Sequence, residues 1–300
     1  MTRFLDVRLN PVGGPLATSV AINQGTSLSD YVSLDKEQLR TDIQGRHVLI
    51  ATHGYNVSRE GGIACLSNWE KLVETNPQPN PPSAQPFVFV GLLWPGDSIW
   101  AHGLDYPEET KIANEAGCLI APFINDNFGN AASISFASHS LGARLILETI
   151  ANMSLPVRRV TIMAGAIDDN CLNTEFRIAA NSSKVGKTSV LASKKDEVLS
   201  ALFPLGNLIG GIIAEGHPWW HAALGHCGPS KPRPGNFVAP FQIPDNWNYG
   251  HHDYLRVDQS SPTIHESEWE VPPNGTPEPA GGIPGWQEAW SAAFCSGRFR

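Results

Sequence analysis

The pattern of apolar and polar positions predicts alternating strands and helices from about residue 45 onward. Short apolar runs, rich in β-branched or aromatic residues and bounded by turn residues, are typical of fully buried strands. Such runs span residues 47–51, 87–93, 133–137, 157–164, 188–192 and 237–243. Residues 107–124 and 141–152, between these runs, carry apolar side chains at helical spacing. Strands that alternate with helices predict βαβ units and therefore an α/β fold with a parallel sheet.

The pattern is weaker on both sides of this region. Residues 1–45 are mixed, with turn signals and a short polar segment. Residues 203–248 are rich in Gly, Pro, Trp and His, which suggests an insertion or lid over a site. Residues 257–300 are rich in Pro, Gly and Glu and are expected to form a C-terminal extension. We therefore expect one domain across the whole chain, with its core at about residues 45–256.

Composition and charge exclude several classes of function. The 300 residues are 41% hydrophobic, enough for a sizeable core, and only 17% are charged. The net charge of -8 and the scattered basic residues argue against a nucleic-acid partner, which requires clustered Lys and Arg. No segment approaches the roughly 20 apolar residues that span a bilayer, and the first residues lack a secretory apolar run. We expect a cytoplasmic protein without a membrane span, and its oligomeric state stays open.

Cysteine and histidine spacing gives little support for a metal site. The five cysteines are odd in number and far apart, with no C-x-x-C pair, which is unlike a disulfide framework or a zinc site. Three His and one Cys lie between His217 and Cys227, and such residues can bind zinc. However, Pro218 interrupts the helical register there and no carboxylate follows closely. A lid or a packed loop is the preferred interpretation, and we expect no metal.

The most informative segment contains a serine between a predicted strand and a predicted helix. It runs from Ser138 through Ser140 to Gly142, as Ser-His-Ser-Leu-Gly. A strand, a tight turn and a helix are the context of the G-x-S-x-G nucleophile turn, in which the serine hydroxyl projects from the sheet edge. Small residues on each side let strand and helix approach closely, although Ser138 replaces the first glycine. This context predicts Ser140 as a nucleophile.

A second group of candidates lies near the ends of the first three predicted strands. The segment His53-Gly-Tyr-Asn follows the first strand, where an early loop commonly supplies an oxyanion-hole amide. We therefore predict oxyanion donors at the backbone N–H groups of Tyr55 and Leu141. His53, Trp94 and His139 are candidates for substrate contact. For Trp94, a place in the loop core fits equally well.

An acid is predicted where the strand at 188–192 ends. Asp196 lies just beyond that strand, at the sheet edge where a catalytic acid belongs. Asp168 and Asp169 follow the preceding strand and are the main alternatives, but either would also serve as a helix N-cap. Glu197 is a weaker alternative. On strand-end position, Asp196 is preferred.

A base is predicted in the late segment Gly250-His-His-Asp-Tyr254. The order Ser, Asp, His along the chain is that of a Ser-His-Asp hydrolase triad. Only one histidine can contact both the serine and the acid. His251 is preferred because it follows the glycine directly, and His252 stays as the alternative.

These motifs resemble the α/β-hydrolase superfamily, and more closely a poorly characterised bacterial branch of it, over about residues 45–256. The resemblance rests on His53–Asn56, Trp94-Pro95, Ser138–Arg144, Ser193–Leu199 and Gly250–Tyr254. In that branch the last motif commonly reads Gly-His-Ser-Asp-Tyr, which matches the catalytic histidine to His251. The resemblance implies a mostly parallel sheet with helices on both faces, serine hydrolase chemistry and no cofactor.

The expected function is hydrolysis of a small-molecule carboxylic ester through an acyl-enzyme, by a serine hydrolase of the carboxylesterase or lipase type. The aromatic, Gly-rich segment 203–248 suggests an apolar acyl or aryl substrate. Amide or thioester cleavage would use the same groups and stays open. The alternative is a non-catalytic α/β-hydrolase-fold protein that binds a ligand or partner, since one fold hosts many functions. Metal-dependent hydrolysis through His217 to Cys227 is a third, weaker hypothesis.

Overall fold

Strands from both the N-terminal and the central part of the chain form one sheet. The computed structural model describes residues 1–12, 14–75, 87–97, 106–179, 181–200, 222–237, 241–243 and 245–255. In this part of the chain the strands are β1 Thr2–Arg8, β2 Leu16–Gly25, β3 Val32–Ser33, β4 His47–Thr52, β5 Phe87–Leu93, β6 Ser133–His139, β7 Val157–Met163, β8 Val185–Ser193 and β9 Phe241–Ile243. The helices are α1 Lys36–Ile43, α2 Arg59–Thr75, α3 Tyr106–Asn127, α4 Gly142–Asn152 and α5 Leu224–Cys227. Much of the predicted lid and the whole extension at 257–300 lie outside the described residues.

The order of the strands locates a crevice at one edge of the sheet. The order is β3-β2-β1-β5-β4-β6-β7-β8-β9, and β1 and β4 to β9 are joined by parallel pairings. From β4 the chain moves to β5 on one side and then returns to β6 and β7 on the other. Ligands of open α/β sheets bind at such a reversal, outside the carboxyl ends of the strands. The crevice between the ends of β4 and β6 is therefore the expected place for a site.

The same reversal puts helices on both faces of the sheet. Right-handed crossovers place α2 on one face, and place α3 and α4 on the other because the chain then moves in the opposite direction. Helices α3 and α4 pack closely, since a Cβ at Gly117 would lie 2.7 Å from the Cβ of Glu148. The predicted class, an α/β fold with a mostly parallel sheet and helices on both faces, is confirmed.

The sheet includes residues that precede the core expected at 45–256, because β1 is one of its inner strands. Strand β1 pairs in parallel with β5 and antiparallel with β2, and Phe4 and Leu5 are fully buried. Its polar residues are buried as well: Asp6 accepts hydrogen bonds from the Tyr31 hydroxyl and the Arg8 N–H, and pairs with Arg59. A search for apolar runs misses such a strand, because partnered charges interrupt its hydrophobic pattern.

An extended apolar periodicity predicts that a helix exists, but it does not give the residues at which the helix begins and ends. The predicted helix at 107–124 lies within Tyr106–Asn127, and the one at 141–152 matches Gly142–Asn152 closely.

No helix in the described part of the chain combines the length and the apolar character that crossing a membrane requires.

The position of β1 predicts a contrast between two leucines near the N-terminus. Leu5 is fully buried, whereas Leu9 is 54% exposed just after the strand. Leu5→Ala is expected to lower the free energy of unfolding by about 2–5 kcal/mol, because it leaves a cavity. Leu9→Ala should change it by less than about 0.5 kcal/mol. Urea unfolding of both variants tests this, and equal values would show that β1 is not part of the core.

Candidate active site

The turn between β6 and α4 holds Ser140 in an uncommon backbone conformation. Its φ of 54° lies in the left-handed region, which residues other than glycine seldom adopt. The Ser140 N–H donates to the Met163 carbonyl oxygen at the end of β7, at 3.0 Å. This turn ends the strand sharply and starts α4 two residues later, so the serine side chain projects at the carboxyl edge of the sheet.

Two glycines allow the backbone to pack closely around this serine. A Cβ on Gly54 would lie 2.6 Å from the Ser140 Cβ, and one on Gly142 would lie 2.4 Å from the His53 carbonyl oxygen. Ser138 takes the place of the first glycine of the usual turn and is fully buried. Its hydroxyl has no hydrogen-bond partner among the described residues, so its small size is what the turn requires.

The structure brings together the predicted nucleophile, base and acid in one chain of hydrogen bonds. Ser140 Oγ lies 2.9 Å from His251 Nε2, and His251 Nδ1 lies 2.8 Å from Asp196 Oδ2. Because Nδ1–H donates to the carboxylate, Nε2 is left to accept the serine proton. Exposure is 5% for Ser140, 8% for His251 and 0% for Asp196, so bulk water competes weakly for these bonds.

Local hydrogen bonds orient the loops that carry the acid and the base. The second oxygen of Asp196 accepts the Leu199 N–H at 2.9 Å, at the start of a helical turn. Ser193 Oγ donates to the Tyr249 carbonyl oxygen at 2.6 Å, which ties the end of β8 to the loop before His251. In that loop the Gly250 N–H donates to Asp253 Oδ2 at 2.7 Å. These bonds hold both the acid and the loop of the base in position.

The alternative residues occupy other positions. Asp168 and Asp169 lie in the segment after β7 that pairs with residues 222–223, through a bridge and a backbone hydrogen bond. Glu197 is exposed at the start of the helical turn. His252 is exposed, and its ring stands edge-on to that of His251 with centroids 5.3 Å apart. The serine and the acid both bond to His251 instead.

The two predicted oxyanion donors belong to loops that meet at the crevice. Leu141 is the N-cap of α4, so its N–H precedes the first intrahelical hydrogen bond. Tyr55 follows Gly54, whose backbone contacts Ser140. The next residue, Asn56, has a φ of 58° and donates its N–H to the Gly96 carbonyl oxygen at 2.5 Å. The loop of Tyr55 therefore approaches Ser140 through the backbone of Gly54.

His53 and Trp94 are packed beneath the loop that carries Tyr55. Their rings stack with centroids 5.8 Å apart, and Trp94 Nε1 donates to the His53 carbonyl oxygen at 3.2 Å. Exposure is 1% for His53 and 0% for Trp94. Both rings are therefore buried below the surface of the site. For Trp94, this is the place in the loop core that the sequence offered as the alternative to substrate contact. Burial lowers the pKa of His53 to about 3, so its imidazole is neutral.

His139 connects the nucleophile turn to the loop of the base. Its Nε2 lies 2.7 Å from the His251 carbonyl oxygen, to which it donates, and its ring packs beside that of His251. Burial, with the positive charge that His251 can carry, holds the pKa of His139 well below its usual value. A neutral His139 adds no charge next to the base. The sequence points to His139 only through its place next to Ser140, which does not distinguish this contact from one with substrate.

Among the described residues near the predicted lid, His226 and Cys227 are not part of a metal site. No group of three or more His, Cys, Asp or Glu in the described part of the chain is arranged to hold a metal ion. Cys227 and His226 end the short helix α5, while His217 lies outside the described residues.

Comparisons with known proteins identify the family of this chain. A family model described as an alpha/beta hydrolase of unknown function (DUF900) matches residues 33–214, more than half of the chain. The matched segment includes Ser140 and Asp196 and ends before His251. A search of curated protein sequences gave no match.

Several solved structures are similar to the chain at low identity. A hyperthermophilic esterase from Pyrobaculum calidifontis is 13% identical with a TM-score of 0.35, covering 75% of this chain and 72% of its own. A thermophilic esterase from Thermogutta terrifontis is 10% identical with a TM-score of 0.35, covering 72% and 77%. Carboxyl esterase 2 from Tuber melanosporum is 13% identical with a TM-score of 0.32, covering 72% and 75%.

The buried neutral histidines predict that stability decreases in mild acid. The folded-state pKa values of His53 and His139 lie below the usual value of 6.5, so below that pH only the unfolded chain binds the extra protons. The contribution of these two histidines to the free energy of unfolding is therefore fully present above pH 6.5 and is lost as the pH falls toward about 3. Each group should contribute a slope of about 1 kcal/mol per pH unit in this window.

This slope is measurable by urea unfolding at several pH values between 7 and 5. A His53→Gln variant removes one of the two groups and should show a shallower dependence than the wild type. Parallel curves for the two proteins would show that His53 is not held neutral.

Proposed function

The chain belongs to this α/β-hydrolase family, and from that premise we propose that it is a serine hydrolase that cleaves carboxylic esters through an acyl-enzyme. The observation that carries the proposal is the continuous hydrogen-bond chain from Asp196 through His251 to Ser140. These are the three roles of acid, base and nucleophile, in the geometry that acyl transfer requires. A protein that only binds a ligand has no need of this arrangement.

In the proposed acylation step, Ser140 Oγ attacks the ester carbonyl carbon while His251 Nε2 accepts the hydroxyl proton. Asp196 holds the Nδ1 proton of the imidazole and stabilises the imidazolium that forms. When the tetrahedral intermediate collapses, the bond from carbon to the leaving oxygen breaks and His251 donates its proton to that oxygen. The products are a free alcohol and an acyl-Ser140 ester.

In the deacylation step, water replaces the alcohol. His251 accepts a proton from water as the oxygen attacks the acyl carbon, and then returns that proton to Ser140 Oγ as the acid leaves. In both steps the negative charge on the former carbonyl oxygen would be stabilised by the N–H groups of Leu141 and Tyr55. Each such donor is worth about 3 kcal/mol of transition-state stabilisation in other hydrolases.

The proposed substrate is a small ester with an apolar acyl or aryl group. Support comes from composition, because residues 203–248 of the sequence contain the pair Trp219-Trp220 among many glycines, and aromatic side chains often line apolar clefts. The low fraction of charged residues, 17%, agrees with such a substrate.

Labelling with a fluorophosphonate probe tests the nucleophile. Wild-type protein should be labelled, and Ser140→Ala should lose both the label and about 10⁴-fold or more of its ester hydrolysis, because no other group can form the acyl-enzyme. Ser135→Ala changes a buried serine on β6, the strand that precedes Ser140; it is the matched control and should be labelled like the wild type.

Two outcomes of the labelling would contradict the proposal. Equal labelling of Ser140→Ala and wild type would exclude Ser140 as the nucleophile. Absence of labelling and hydrolysis in a folded wild-type protein would favour the non-catalytic binding protein.

Separate substitutions of the adjacent histidines test the base. His251→Ala should lower kcat on a chromogenic short-chain ester by roughly 10⁴-fold, because Ser140 then lacks a proton acceptor. His252→Ala should stay close to the wild type, because the serine hydroxyl bonds to His251 and the His252 ring is exposed. If His252→Ala is the inactive variant, the assignment of His251 is wrong.

A further inference from the structure

A buried arginine at the end of β1 lies behind the loop that carries Tyr55. Arg8 is the last residue of β1, and its side chain is fully buried. Strand β1 pairs in parallel with β5, so Arg8 emerges next to the end of β5, where Trp94 follows. An arginine in this setting keeps its charge, which must be met by acceptors inside the protein.

Every N–H of the Arg8 guanidinium has an acceptor. Nη1 donates to the carbonyl oxygens of Val57 and Trp94 at 2.9 and 2.8 Å. Nη2 donates to the Pro11 carbonyl oxygen at 3.2 Å and forms an ion pair with Asp97, and Nε donates to the Asn10 carbonyl oxygen at 3.4 Å. Five donors in a planar fork match five acceptors, which a lysine ammonium with three donors could not do.

Three of these acceptors lie on the two loops that border the candidate oxyanion hole, and the other two lie in the segment that follows β1. Val57 closes the loop of His53 to Asn56, while Trp94 and Asp97 belong to the loop after β5. The two loops also contact each other directly through the Asn56 N–H and the Gly96 carbonyl oxygen, and through the Trp94 indole and the His53 carbonyl oxygen. Arg8 therefore joins both loops to the rigid end of β1.

The loop requires such support because of its own geometry. The backbone of Asn56 is in the left-handed region, which is costly for a residue other than glycine. Gly54 packs directly against Ser140, so a shift of the loop would also move the Tyr55 N–H relative to the serine. The backbone of Arg8 is itself fixed, since its N–H donates to Asp6 and its carbonyl oxygen accepts from Arg59 Nη2 at 2.6 Å.

We propose that Arg8 is a positioning residue for the oxyanion hole, which holds the Tyr55 loop against the loop of Trp94 to Asp97. The inference rests on the proposed function, because it assigns the Tyr55 N–H to the oxyanion. Arg8 itself does not contact substrate. Its effect on the reaction is transmitted through the carbonyl groups of Val57 and Trp94.

The test compares Arg8→Gln with a variant that weakens the same strand elsewhere. Arg8→Gln should lower kcat on a chromogenic ester by about 10- to 1,000-fold with little change in KM, because a displaced donor stabilises the transition state less. A boronic acid inhibitor, which forms a tetrahedral adduct with the serine, should bind more weakly by the same factor as the loss in kcat/KM. Leu5→Ala destabilises β1 three residues before Arg8 and leaves the Arg8 side chain in place, so it should keep the wild-type kcat below its unfolding temperature.

A double variant covers the case in which Arg8→Gln does not fold. Arg8→Met with Asp97→Leu removes both buried charges together, so no unpaired charge stays inside the protein. It should fold and show the same loss of kcat. If either folded variant keeps the wild-type kcat and inhibitor affinity, or if Leu5→Ala loses as much, Arg8 does not position the hole.

Hydrogen exchange separates this inference from the proposed function. Backbone amides at residues 54–57 should exchange faster in folded Arg8→Gln than in Leu5→Ala, whether or not the protein hydrolyses esters. Wild-type protein without Ser140-dependent hydrolysis would overturn the proposed function. Unchanged exchange at these amides would overturn the role of Arg8.

Discussion

The left-handed backbone at Ser140 is the constraint on which the candidate site depends. A non-glycine residue in this region costs of the order of 1–3 kcal/mol, and it persists only where its surroundings leave no alternative. Here the Met163 carbonyl oxygen holds the serine N–H, and the missing side chains of Gly54 and Gly142 leave room for the turn. The site is therefore built by the sheet, because β4, β6 and β7 together impose the conformation of one residue.

Part of this arrangement follows from the sequence and part does not. The central strands were predictable because they are buried on both faces and form uninterrupted apolar runs. The order of Ser140, Asp196 and His251 was also predictable, since each candidate follows a recognisable strand or a glycine. Strand β1 was not predictable, because Asp6 and Arg8 break its pattern and find their partners in distant segments.

The positions of Trp94 and His139 show a second limit of sequence reasoning. Both residues lie where a strand ends, at the edge where a ligand would bind, yet Trp94 stacks on His53 and His139 donates to the His251 carbonyl oxygen. A residue at this edge can face the crevice or support it from behind, and the sequence does not distinguish the two. A neutral His139 beside His251 also keeps further positive charge away from the imidazolium of the proposed mechanism.

The contact between Arg8 and Asp97 joins residues 89 positions apart, and this separation has a consequence for how the protein matures. Strand β1 leaves the ribosome well before its parallel partner β5 and the loop that Arg8 binds, because it precedes both in the chain. Contacts between distant segments close late in folding, because the chain must lose the entropy of the loop between them first. The geometry around Ser140 is thus completed only after β1 has paired with β5 and Arg8 has reached the loop of Trp94 to Asp97, so the candidate site forms late in folding.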